Sequence, residues 1–149
     1  MRRSWWAAAL FMVMVGTAAT AATPSIQVEH AWIRWLPASL PCAGYATIVN
    51  DTDSTVRLTG ASSPDYRDTM LMESQLAQDE SSMVPVSHID VSAHGVTKLV
   101  PGAYHIMLSN PTRTLKPGDT VPMTLRFSDG SSLQVSFSML PANASGPSG

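Results

Sequence analysis

The chain has 149 residues, one cysteine, nine methionines and a formal net charge of −2. That length suits one domain around a single hydrophobic core. A mildly negative charge with no Lys/Arg cluster excludes the electrostatic footprint of a phosphate-backbone binder, so no nucleic-acid partner is predicted.

Taken in chain order, Arg2 and Arg3 precede an apolar run over residues 5–16, and Ala19-Thr20-Ala21 supplies the small residues a signal peptidase requires. Residues 1–21 are therefore predicted to be a cleaved signal peptide. The run is shorter than the roughly 18 residues of a spanning helix, so no membrane insertion is predicted once it is removed. No cysteine follows the run at a lipid-attachment position, because Cys42 lies well downstream. Loss of Arg2 and Arg3 leaves seven Lys and Arg against eleven Asp and Glu, a net charge near −4.

The rest shows short apolar alternation broken by turn residues, with no long 3.6-residue period. Strands are predicted over residues 26–33, 44–50, 56–61, 69–73, 96–100, 103–108, 120–127 and 132–138. A Pro-rich link (Pro37 to Pro41), a turn at 50–54 and a Ser62-Ser63-Pro64-Asp65 breaker separate the first four. The polar stretch 78–82 reads as a loop, as does His88-Ile89-Asp90. Pro101-Gly102, Lys116-Pro117-Gly118-Asp119 and Asp129-Gly130 punctuate the later strands. Seven to nine short strands give an all-β fold class, a sandwich or barrel in a single domain over residues 22–140. Residues 141–149 have almost nothing apolar to bury and are predicted to be a disordered tail.

Four side chains fall at spacings that can build one soft-metal site: Met72, ten residues, Met83, twenty-one residues, His105, one residue, Met107. Thioether sulfur with imidazole nitrogen favours Cu(I), a soft d10 ion that prefers sulfur. A thioether loses no proton and forms no disulfide, so these ligands survive in an oxidising compartment. His105 and Met107, two apart on one strand, point to the same face. Met72 and Met83 flank the polar loop, so two sulfurs can meet at one hairpin. Met70 shares a strand face with Met72 and is its rival, whereas Met123 and Met139 sit in alternating apolar strands and read as core. Taken singly, each of these methionines could equally be packing filler. His30, His88 and His94 read as surface or capping residues, Cys42 as buried, and Trp32 and Trp35 as core and edge anchors, although an aromatic at the mouth of the metal site could shield Met sulfur from solvent.

The spacing Met72-x10-Met83-x21-His105-x-Met107 resembles the signature of the periplasmic copper chaperones of the PCu(A)C type, in its form with Met at the first position. The similarity extends over Val28-Glu29-His30-Ala31-Trp32-Ile33-Arg34, Ala43-Gly44-Tyr45-Ala46-Thr47-Ile48 and Leu58-Thr59-Gly60-Ala61-Ser62-Ser63-Pro64. It continues over Pro101-Gly102-Ala103-Tyr104-His105-Ile106-Met107-Leu108 and residues 115–125, and covers about residues 27–137 in all. The resemblance implies a cupredoxin-like β-sandwich of Greek-key type, with Met72, Met83, His105 and Met107 as Cu(I) ligands. It implies a periplasmic protein that hands copper to another periplasmic copper chaperone or to an oxidase subunit carrying the CuA centre. Some relatives carry a His/Met-rich C-terminal extension that serves Cu(II), and residues 141–149 contain neither residue type.

No Gly-x-Ser-x-Gly elbow, His-Glu-x-x-His or Gly-rich phosphate loop is present, and the resemblance implies metal transfer rather than catalysis. An electron-transfer blue-copper site is disfavoured as well. It needs two His and one Cys, and here Cys42 comes early and no His follows His105.

Overall fold

The computed structural model describes residues 25–37, 39–77 and 80–147; the predicted signal peptide lies outside them. Ten strands make up the regular structure. They are β1 (Ile26–Arg34), β2 (Cys42–Asn50), β3 (Val56–Ser62), β4 (Tyr66–Ala77), β5 (Glu80–Pro85), β6 (Ile89–Val91), β7 (Gly95–Leu99), β8 (Tyr104–Pro111), β9 (Thr120–Phe127) and β10 (Ser132–Leu140).

Hydrogen bonding runs β5-β4-β8-β2-β1-β10-β9-β3-β6, with β7 beside β2. All pairs are antiparallel except β1 with β10. One arm of this path sends Ile48, Leu71, Ile106 and Leu108 inward, and the other sends Leu58, Leu125, Phe137 and Met139, all into one buried cluster. The arms therefore face each other as the two layers of a β-sandwich, the all-β class predicted from the alternation. Met123 and Met139 lie in this core, 2% and 1% exposed.

Two segments predicted as loops are strands. Of the stretch 78–82, residues 80–82 belong to β5, which begins at Glu80 and pairs antiparallel with a β4 that continues to Ala77. Residues 88–90 enter β6, where Ile89 and Val91 are buried against the core and Asp90 turns outward to Arg57 at 3.0 Å. Three residues are too few to establish a period, so β6 exists only because β3 offers it a partner.

Inside β1 the register with β2 shifts between Glu29 and Trp32, and His30 takes a left-handed φ of 50°. This β-bulge inverts the alternation. Ile26 and Val28 lean on the core before it, Ile33 enters the core after it, and Trp32 is turned to the opposite face.

Asn50, fully buried at the end of β2, ties the turn regions together. Its Nδ2 donates to the carbonyls of Ser54, Val91 and Ser92, while its Oδ1 accepts from the Thr52 backbone N–H and hydroxyl. Beyond β10, residues 141–144 close a turn in which Ala144 N–H donates to the Pro141 carbonyl. The Ala144 carbonyl in turn accepts from the Arg34 guanidinium at 3.2 Å, so the first part of the predicted tail rests on β1.

Candidate metal centre

The cross-strand register places the four predicted ligands on one face. Met72 of β4 lies directly opposite His105 of β8, and one pleat along, Met70 lies opposite Met107. Met83 of β5 lies opposite Ser74 of β4, so it is the diagonal neighbour of Met72. Directly opposed residues of antiparallel strands share a face, and so do residues two apart on one strand. Met70, Met72, Met83, His105 and Met107 therefore project from the same side of three adjacent strands. Leu71 and Ile106, a directly opposed pair from the alternate positions, point the other way into the core. Directly opposed side chains start about 5 Å apart and diagonal ones about 7–8 Å, within reach of flexible thioethers.

Depth grades across this face. Met72 and His105 are buried, Met107 is half-buried and Met83 is exposed. Met83 is exposed because β5 is an edge strand, paired on one side only.

Behind His105 lies an aromatic tier of which the sequence reading singled out only Trp32. Tyr45 of β2 sits with its ring centroid 6.2 Å from that of His105, and Trp32 of β1 packs on Tyr45 at 4.8 Å. The Arg34 guanidinium lies 5.6 Å from both Trp32 and Tyr45 ring centroids, a cation–π cap. Trp32, Tyr45, Met72 and His105 are all buried yet lie outside the main core cluster. They form a second, smaller packed group on the outer face. The only sequence signal for it was three aromatic or basic residues inside the stretches that carry the family resemblance.

This burial sets the chemistry of His105. Desolvation holds its imidazole below the usual histidine range, opposed in part by a hydrogen bond to the Ala103 backbone. The ring is therefore neutral at pH 7 and keeps a nitrogen lone pair for a metal.

The other predicted candidates are dispersed. His88 meets Ser87 and Asp90, His94 pairs with Asp53 at 2.6 Å, and His30 is exposed in the bulge. Cys42 is a free, buried thiol at the start of β2. Among the described residues no three His, Cys, Asp or Glu side chains come together. The thioether face is thus the place where donors converge, and its donor set suits a soft monovalent ion rather than zinc or Cu(II).

Residues 26–139 match the family described as "Putative lipoprotein LpqE-like". The chain belongs to this family. A relative, the "Putative lipoprotein Lxx21020" of Leifsonia xyli subsp. xyli, is 29% identical over 143 residues, covering 89% of this chain and 86% of that one. Among solved structures, the Cu(I) form of DR1885 from Deinococcus radiodurans is 30% identical, with a TM-score of 0.61 over 85% of this chain and 84% of that one. The copper-bound PCuAC domain from PmoF2 superposes with a TM-score of 0.66 at 23% identity, covering 81% of this chain and 97% of that one. The fold of this LpqE-like chain is thus the cupredoxin-like β-sandwich of PCuAC domains. The family's lipoprotein description meets a particular obstacle at Cys42: this one cysteine is built into β2 and buried, so a lipid there would have to enter the sheet.

Proposed function

We propose that this LpqE-like chain is an exported, periplasmic Cu(I) metallochaperone whose cargo is held by Met72, Met83, His105 and Met107. The observation that carries this reading is the register of β5, β4 and β8, which gathers three thioethers around a buried, neutral imidazole. Its likeness to a structure described as the Cu(I) form of DR1885 supports the same cargo. The protein changes no bond of a substrate; its task is to bind and release.

Neutral ligands at graded depth suit that task. Met72 and His105 hold the ion from below, while the exposed Met83 is the ligand that opens first. The recipient we propose is the CuA centre of a haem-copper oxidase, as the resemblance to PCu(A)C chaperones implies.

An anaerobic competition titration of the protein from residue 22 onward, against a chromogenic Cu(I) chelator, tests the cargo. One equivalent bound in the wild type and lost in Met83→Leu and His105→Ala is the expected result; no binding would end the proposal. Mixing the loaded protein with a copper-free CuA domain tests the recipient. Copper that binds but stays behind would point instead to copper storage or tolerance.

A further inference from the structure

The thioether face holds a fifth soft donor, and its position is not that of a spare. Met70 lies directly across from Met107, one pleat beyond the Met72–His105 pair. It is 45% exposed where Met72 is 6%. Met70 and Met107 also line one open cavity of about 290 Å3, together with Arg67, Asp68 and Arg126. The five donors thus make three successive rows: Met83 in the first, Met72 with His105 in the second, Met70 with Met107 in the third. Met107 belongs to both the deep site and the outer row.

We propose that Met70 and Met107 form an outer two-sulfur station through which Cu(I) leaves the deep Met72–His105 position for its acceptor. This rests on the chaperone reading above and adds Met70 as an exchange ligand. Cu(I) tolerates two- and three-coordinate sulfur environments, so the bond to the exposed Met83 opens first and a bond to the Met70 thioether forms as those to Met72 and His105 open in turn. Met107 stays bound throughout, and the metal keeps its oxidation state. No proton moves to either sulfur, since thioethers carry none. Arg67 and Arg126 outnumber Asp68 in the cavity lining, which disfavours lasting residence of a cation there, so the station serves transit rather than storage. The opposite exit, past Met83, offers a single sulfur opposite Ser74 and no second soft donor.

The test uses protein labelled with 13C at the methionine methyl groups and titrated anaerobically with Cu(I). The expected result is that the methyls of Met72, Met83 and Met107 shift in full while that of Met70 broadens by exchange with a sparsely populated copper-bound form, and Met123 and Met139 in the core stay still. A Met70 methyl without exchange broadening while the other three move would overturn the station and leave the chaperone reading intact, and a full shift would make Met70 a ligand of the deep site. If no methionine moved, both would fall. The Met70→Leu protein, close in volume at a half-exposed site, supplies a second arm. Its Cu(I) affinity should stay within about threefold of wild type while transfer to excess chelator slows by roughly tenfold. Unchanged transfer overturns the station, and so does loss of tight binding, which would make Met70 a ligand of the deep site.

Discussion

His105 is the one residue of the proposed site whose charge changes near neutral pH, and its burial decides where. The folded-state pKa is lowered, so between the usual value near 6.5 and the lowered one the unfolded chain binds the extra proton and the native protein does not. The contribution to stability is thus complete above the usual value and is lost as pH falls through the lowered one. Metal binding follows the same sign, because proton and Cu(I) compete for one lone pair. Cu(I) affinity should be level from pH 8 to below the usual histidine value near 6.5 and fall only as pH passes through the lowered one, approaching tenfold per pH unit once the ring titrates. The competition titration repeated across pH measures this, and His105→Ala should flatten the curve. A wild-type affinity level down to pH 5 would remove His105 from the ligand set. Asn50 gives a second residue-scale expectation. Its amide serves three carbonyls and two donors of the Thr52 turn while fully buried, so Asn50→Ala strands several groups at once. The expected loss is about 2–4 kcal/mol in urea unfolding, with copper affinity in the surviving folded fraction unchanged.

At the scale of elements, what could be read from the sequence depended on whether a strand has one buried face. The strands β9 and β10 alternate cleanly because one face meets the core, and β3 does so up to the bulge between Leu58 and Gly60; the predicted spans 56–61, 120–127 and 132–138 fall within these strands. In the edge strand β5, Met83 and Pro85 are exposed and Val84 is only half-buried, so no hydrophobic period marks it. Its strand character comes wholly from pairing with β4. The bulge in β1 was equally hidden, because Trp32 and Ile33 are both apolar and either could have been the inward one. The ligand spacing was legible because His105 and Met107 are local to one strand; the Tyr45–Trp32 tier was not, because it exists only after β1, β2 and β8 are laid side by side. The bulge makes its own prediction. His30 holds a φ of 50° with its side chain exposed, a conformation glycine adopts freely and a β-branched residue resists. His30→Gly should leave stability unchanged or raise it by up to about 1 kcal/mol, and His30→Val should lower it by about 1–3 kcal/mol. Urea midpoints of the three proteins decide this, and a neutral valine would mean that the bulge stores no strain.

For the whole molecule, the decisive arrangement is that the sandwich core and the thioether face are separate packed groups on opposite sides of β4 and β8. Ile48, Leu71, Ile106 and Leu108 belong to the first, Met72, His105, Tyr45 and Trp32 to the second. A protein that must exist both loaded and empty needs this division, since a fold that depended on its cargo would collapse at each delivery. Stripping copper should therefore leave the protein folded, with a single cooperative thermal transition. Cu(I) binding should then add stability by mass action alone, about 2.7 kcal/mol at a free concentration one hundred times Kd, which for a domain of this size raises Tm by roughly 10 °C. Two substitutions should separate the groups. Ile48→Val removes a buried methyl group from the core and should cost about 1 kcal/mol in the empty protein while leaving the copper-induced rise intact. Met83→Leu changes an exposed side chain on the edge strand, so the empty Tm should hold within a degree or two and the rise should largely vanish. Thermal scans of the three proteins with and without Cu(I) read both effects. If Ile48→Val also cut the rise, the core and the metal face would be one energetic unit, and the division that lets this fold outlast its cargo would not exist.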